Sequence, residues 1–418
     1  MDPDRKGFVE KIQKRIKKGG HFGVLSIYVR GYRYANMLYG YQAGEDLLRS
    51  LSEVLGRIGE WGVIETNCFG VIVEVKEINN FDVEVLERLK EPVAFGPTLF
   101  SVGLVIGMAC HPAHATEAEE LLRKADLALT SLWHRHELGF QVYNQEFDRI
   151  LKRQGELALD MDAALDRGEF EVYFQPQYRT STGKIAGAEA LLRWKRQDRF
   201  IAPGRFIPLA EMTGRIAKLG EWMLRRTCRS VAAWPGIEEQ RWRIGVNVSV
   251  PQFYHASFVP LVEELLERYG LSPSSLELEI TESVALESFD GTLSKLKDLR
   301  AKGIGLAMDD FGTGFSSLSY LYRLPFTKLK IAQSFIRGIP AVPEKMILTE
   351  TAVDLGRKLG MEVIAEGVEQ EIQHKTLLQM GCDLVQGNFC SPAVPERKMS
   401  RFLENYLKEC TFSEREPG

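Results

Sequence analysis

The sequence predicts an α/β protein of two domains, a small α/β domain followed by a (β/α)8 barrel. Three observations carry that prediction. The chain has 418 residues, too many for one ordinary core. Its last two-thirds repeats one pattern, a short apolar run that ends in a carboxylate or amide and then a helical stretch. Strands alternating with helices over about 250 residues suit a barrel of parallel strands, whose chemistry sits at the C-terminal strand ends.

The bulk numbers narrow the class. The net charge is −4 with acids and bases well mixed, so no basic stripe for nucleic acid is expected. The apolar share, 44%, is ordinary for a soluble protein, and no apolar run suggests a membrane span. The opening MDPDRKGFVEKIQKRIKKGGHFG has no apolar core, so no secretory signal is expected, and KIQKRIKKGG reads as a solvated helix face. The six cysteines show no CxxC spacing and pair with no histidines, which fits free thiols in a reducing cytoplasm.

Taken in order, residues 20–145 read as the small α/β unit. Its strand-like runs are FGVLSIYV, GVIVEV and LFSVGLVIGMA. Its helical stretches, AGEDLLRSLSEVLGRI and TEAEELLRKADLALTSLW, carry leucines at 3–4 spacing. The polar helix NQEFDRILKRQGELALDMDAALDRGE follows, either as a link or as the first helix of the second domain. The expected division is 1–148 for the first domain, 149–168 for a linking helix and 169–410 for the barrel. FEVYFQPQYRT opens the barrel, and the tail CTFSEREPG is expected to fray.

Seven runs follow: IAGAEALLRW, RIGVNVSV, LELEITES, GIGLAMDDFGTG, KLKIA, EVIAEGVE and LVQGN. Their polar ends are Glu189, Asn247, Glu279, Asp309 with Asp310, Lys330, Glu366 and Gln386. Converging on one rim, five carboxylates would repel one another, so divalent cations are implied. Any one of these acids could instead cap the helix that follows its strand. The set together points to a cation site.

At these residues the chain resembles the EAL domain family, bacterial phosphodiesterases of cyclic di-GMP. The resemblance rests on FQPQ, on Glu189-Ala190-Leu191 within AEALLRW, and on NVS, ELEITES, DDFGTGFSSL, KLK, AEGVE and QG, in the family's order. It implies a TIM-barrel-like domain that hydrolyses cyclic di-GMP to linear pGpG with two cations, Mg²⁺ or Mn²⁺. It also implies that Glu189, Asn247, Glu279 and Asp309 hold one ion, while Asp309, Asp310 and Glu366 serve the second or its waters. Lys330 would position the attacking water and offset phosphate charge, and Gln386 would hydrogen-bond near Glu366. Catalysis would therefore rest on Glu189, Lys330, Glu366 and Gln386. Gln175, Leu192 and Arg193 would contact the ligand, Arg193 through a phosphate oxygen. Glu282 and Glu369 would support the DFGTG loop, where Gly312 and Gly314 permit a tight turn. A homodimer through this domain is also implied.

The barrel departs from the family's pattern at two positions, of which the first carries the weight. Active members usually carry Asp two residues after the lysine, where this chain has Ala332. That leaves a second reading open, a cyclic di-GMP receptor without catalysis. Asn388 stands where an aromatic is usual. The N-terminal domain resembles the GGDEF family of cyclic di-GMP synthases as a skeleton, through YRYANMLYGYQAGEDLLR and ADLALTSL. Its signature loop reads Glu65-Thr66-Asn67-Cys68-Phe69, and Tyr28 replaces the family's strand aspartate. Without the loop glycines the backbone cannot approach a triphosphate, so no synthase activity is expected. GTP sensing, dimerisation or scaffolding remain as its roles.

Overall fold

The computed structural model describes residues 4–30, 32, 36, 40–75, 93–95, 98–100, 103–133, 139–281, 289–312 and 321–413. The chain divides into two compact units, Met1–Gly155 and Glu156–Gly418. The division falls inside one continuous helix, Gln145–Asp166.

The first unit is built on β1 (Phe22–Arg30), β2 (Glu60–Glu65), β3 (Cys68–Glu74), β6 (Gly103–His111) and β7 (Gly139–Val142), in the order β2-β3-β1-β6-β7. A separate pair, β4 (Val93–Phe95) and β5 (Thr98–Phe100), lies apart from that sheet. The alternation of a strand sorts β1 between two cores. Leu25, Ile27 and Val29 join Leu47, Leu51 and Leu55 of helix Tyr41–Ile58. Phe22 and Val24 join Phe8 and Ile12 of helix Arg5–Lys18 and Leu121, Leu122 and Ala125 of helix Ala118–Trp133. The segment parallel to the synthase family's nucleotide site lies partly outside the described residues.

The second unit is a closed barrel of eight strands. They are β8 (Phe170–Arg179), β9 (Ile185–Arg196), β11 (Arg243–Val248), β12 (Leu276–Thr281), β13 (Gly305–Phe311), β14 (Lys328–Ile331), β15 (Glu362–Ala365) and β16 (Leu384–Val385). The seven runs read from the sequence supply the seven strands from β9 onward, each parallel to the next. β8 closes the ring antiparallel to both β9 and β16. The barrel is thus not wholly parallel, because β8 meets β9 through a short turn and no helix intervenes. Short strands β10 (Arg199–Ile201) and β17 (Val394–Pro395) extend β9 and β8.

Strand alternation again sorts the residues. Leu276, Leu278 and Ile280 of β12, and Leu329 and Ile331 of β14, belong to the large apolar core. Their alternates Glu277, Glu279, Lys328 and Lys330 are as deeply buried, yet polar. Branched apolar side chains usually fill such a barrel; here ion pairs and amides occupy much of the interior. Among the described residues no helix is long and apolar enough to cross a membrane.

Candidate active site

Each of the seven parallel strands delivers a polar side chain to the same mouth. Glu189 lies on β9, Asn247 on β11, Glu279 on β12 and Asp309 on β13. Lys330 lies on β14, Glu366 just after β15 and Gln386 just after β16. Lys330, 1% exposed, is the hub. Its Nζ lies 3.0 Å from Asp309, 2.8 Å from Glu366 and 3.7 Å from Glu189, and it donates a short hydrogen bond to Glu279. Burial would lower the Lys330 pKa, but the charges of Asp309, Glu189, Glu279 and Glu366 outweigh it and hold the pKa well above its usual value. Burial, with the charge of Glu189, pushes the Glu279 carboxyl well up despite Lys330. Burial pushes Glu366 up to about 8, against the pull of Lys330.

Amides orient Glu189. Asn247 Nδ2 donates to its Oε1 at 2.8 Å and Gln386 Nε2 to its Oε2 at 2.6 Å. Gln386 Nε2 also reaches Gln175 Oε1 at 3.2 Å. Gly245 makes room for Glu279, since a Cβ there would meet its Oε1 at 2.0 Å. On β13 the register shifts between Met308 and Phe311, and Asp310 takes φ 54°. Such a bulge re-aims a side chain and holds the backbone in a region uncommon for non-glycine residues. Gly312 follows at φ 90°; Glu282 and Gly314 lie outside the described residues.

A cavity of about 310 Å³ opens above this cluster, lined among others by Gln175, Glu189, Leu191, Glu366, Glu369 and Gln386. Leu192 packs among core side chains, and its carbonyl accepts from Arg193 Nη1 at 3.0 Å. The Arg193 guanidinium stands 5.7 Å from the Tyr173 ring centroid. Glu369, exposed, accepts from Gln333 Nε2 at 3.3 Å. Ala332, 3% exposed, is the N-cap of helix Gln333–Ile336 and supplies no capping hydrogen bond.

Among the described residues no three acids converge around a ready-made metal position; the Lys330 ammonium stands between them. The donor set nevertheless fits hard cations. It is all oxygen, four carboxylates face one ammonium, and the buried Glu279 Oε1 has no hydrogen-bond partner. Asn247 uses its amino group on Glu189, so its carbonyl oxygen is the atom left to offer.

The sequence reading missed a second polar layer beneath the first, made of Gln177, Glu277 and Lys328. Lys328 Nζ lies 2.5 Å from Glu277 Oε1 and 3.3 Å from Gln177 Oε1. The signal was present as polar doublets two residues apart, Gln175/Gln177, Glu277/Glu279 and Lys328/Lys330, within apolar strands.

A closed barrel with an acidic rim thus follows an α/β domain in this chain. The EAL domain model matches residues 158–393, so the chain belongs to the EAL domain family. The model of the diguanylate cyclase GGDEF domain matches residues 3–137. The chain is 33% identical over 404 residues to the bifunctional diguanylate cyclase/cyclic di-GMP phosphodiesterase MucR of Pseudomonas aeruginosa, covering 93% of this chain and 58% of MucR. It is 31% identical over 411 residues to the cyclic di-GMP phosphodiesterase NbdA of the same organism, covering 96% of this chain and 52% of NbdA. The chain thus spans about half the length of these curated relatives. Among solved structures, the MucR phosphodiesterase in complex with c-di-GMP is 41% identical with a TM-score of 0.56, covering 58% of this chain and 99% of that one. The S helix-GGDEF-EAL portion of Vibrio cholerae LapD, 16% identical with a TM-score of 0.66, covers 92% of this chain and 93% of its own, and shares the fold.

Proposed function

We propose that the barrel hydrolyses cyclic di-GMP to linear pGpG and that the N-terminal domain makes no cyclic di-GMP. The carrying observation is the convergence of Glu189, Glu279, Asp309 and Glu366 on Lys330 beneath an open cavity. Glu189, Asn247, Glu279 and Asp309 would hold one divalent cation, and Asp309, Asp310 and Glu366 would serve a second. Bound there, the cations would supply charge neutralisation at the phosphoryl oxygens and make an attacking water more acidic. The chain's own groups do the rest. Lys330 limits repulsion among the acids and brings positive charge toward the phosphate. Glu366 orients the water from the cavity wall. Gln386 and Asn247 hold Glu189 in one rotamer. Arg193, with its guanidinium 5.7 Å from the Tyr173 ring centroid, would donate to a phosphate oxygen. Gln175 lines the same cavity and would contact the ligand, while Glu369 would support the adjoining loop.

A second reading, a receptor that binds cyclic di-GMP without cleaving it, is favoured by one observation. Ala332 caps its helix without a side-chain bond and brings no carboxylate to the site. Following pGpG by chromatography with Mn²⁺ or Mg²⁺, beside a binding isotherm in Ca²⁺, separates the two. Turnover that vanishes in Glu189→Ala supports hydrolysis. Tight binding without turnover supports the receptor.

For the N-terminal domain, the β2–β3 turn supports the negative reading. Asn67 donates its Nδ2 to Val29 O at 3.2 Å, and its backbone carbonyl accepts from Val29 N at 2.9 Å. The turn is therefore tied back to β1 at the position of the family's signature loop. Appearance of cyclic di-GMP from GTP and Mg²⁺ with the full chain would refute this. Dimerisation through the barrel domain is part of the same proposal, and light scattering with and without cyclic di-GMP tests it.

A further inference from the structure

Beneath the acidic rim, a buried lysine and two glutamine amides form one directed chain of hydrogen bonds. Lys328 Nζ donates to Gln177 Oε1 at 3.3 Å, and Gln177 Nε2 donates to Gln386 Oε1 at 2.9 Å. Gln386 Nε2 then donates to Glu189 Oε2 at 2.6 Å. Lys328, Gln177 and Gln386 are 1%, 1% and 4% exposed, so water cannot replace these partners cheaply.

The direction of the chain follows from its ends. An ammonium can only donate, so Gln177 must present its oxygen to Lys328 and its amino group to Gln386. Gln386 must then present its oxygen to Gln177 and its amino group to Glu189. A second fixed end agrees. Gln175 Nε2 donates to the Ser391 carbonyl at 3.1 Å, which turns Gln175 Oε1 toward the same Gln386 amino group. Lys328 is itself held by Glu277, which is 0% exposed.

We infer that Lys328 and Gln177 are positioning residues. They set the polarity of Gln386 and so hold Glu189 in the rotamer that takes a cation. This rests on the proposed cation-dependent reading of the rim, but its test does not depend on turnover alone. Outer partners of this kind typically change metal affinity or activity by about 10–100-fold when altered.

The discriminating variant is Gln177→Glu. It is nearly isosteric and gives Lys328 a full charge partner, so a merely structural role predicts a normal fold and unchanged site. A carboxylate cannot donate, however, so Gln386 would turn its amino group to residue 177 and its oxygen to Glu189. The polarity model therefore predicts Mn²⁺ affinity, read by calorimetry, about tenfold weaker. Added negative charge alone would strengthen it. The double variant Lys328→Met/Glu277→Leu removes the donor with its partner, a replacement that buried pairs often tolerate. Gln175 still directs the Gln386 amino group there, so Mn²⁺ binding should weaken by only a few fold, and this measurement decides the matter if Gln177→Glu fails to fold. Cyclic di-GMP turnover should fall in parallel, in kcat more than in KM. Wild-type Mn²⁺ affinity in both variants, or no Mn²⁺ binding by the wild type, overturns the inference. Mn²⁺ binding that responds as predicted without any cyclic di-GMP turnover upholds the relay and refutes the hydrolase reading.

Discussion

Glu189 accepts hydrogen bonds at both oxygens, from Asn247 and Gln386, and still lies 3.7 Å from the Lys330 ammonium. Removing its carboxylate takes the acceptor from Asn247 Nδ2, leaves Gln386 Nε2 only Gln175 Oε1, and deletes one anionic oxygen pair from the rim. Glu189→Ala should lower turnover by at least about 10³-fold, roughly 4 kcal/mol of barrier. Binding of cyclic di-GMP in Ca²⁺ should change far less; an unaltered rate would remove Glu189 from the cation site. Ala332 makes the opposite prediction. An aspartate there could cap the following helix and add a carboxylate beside Lys330. Ala332→Asp should raise kcat about 10–100-fold if that group acts through another ligand. A flat response in steady-state kinetics would show that the native site does not need it.

At the scale of elements, the packing of strands against their neighbours sets what each position tolerates. Gly245 on β11 leaves space that the Glu279 carboxylate on β12 occupies. Gly245→Ala should therefore displace Glu279 and lower turnover more than tenfold, with little change in circular dichroism; wild-type rates would show that Glu279 can move without effect. In the first unit, helix Ala118–Trp133 brings Asp126 against the sheet, and burial pushes its carboxyl up to about 6, against a hydrogen bond from Ser26. The folded-state value lies above the ordinary 3.8, so the contribution is fully present below that pH and is lost as pH rises through about 6. The melting transition of this unit should fall between pH 5 and pH 7.5, and Asp126→Asn should flatten that dependence. A parallel pH profile in wild type and variant would assign the effect elsewhere.

At the scale of the whole molecule, the rim is an excess of carboxylates over one ammonium, and its chemistry should follow the cation supply. Chelation with EDTA should abolish hydrolysis, and Mn²⁺ or Mg²⁺ should restore it. Hydrolysis that survives exhaustive chelation would mean that Lys330 alone meets the charge demand. The chain spans about half the length of MucR and NbdA, so these tests concern the two units present here.

Much of this was legible in the residues. The alternation of apolar runs with helical stretches marked seven barrel strands, and their last polar residues marked the rim, because strand periodicity and burial are local properties. The antiparallel β8 was not legible, since a strand carries no mark of its direction until it finds its neighbours. The layer of Gln177, Glu277 and Lys328 left only one sign, polar doublets two residues apart within apolar strands. Each reads alone as an ordinary surface residue, and only closure of the barrel removes all three from water and forces them to satisfy one another. The sequence by itself determined which groups meet at the mouth. The tertiary structure decided that Lys330 stands among the acids and which way each amide beneath them points, because buried donors must face acceptors across strands far apart in the chain.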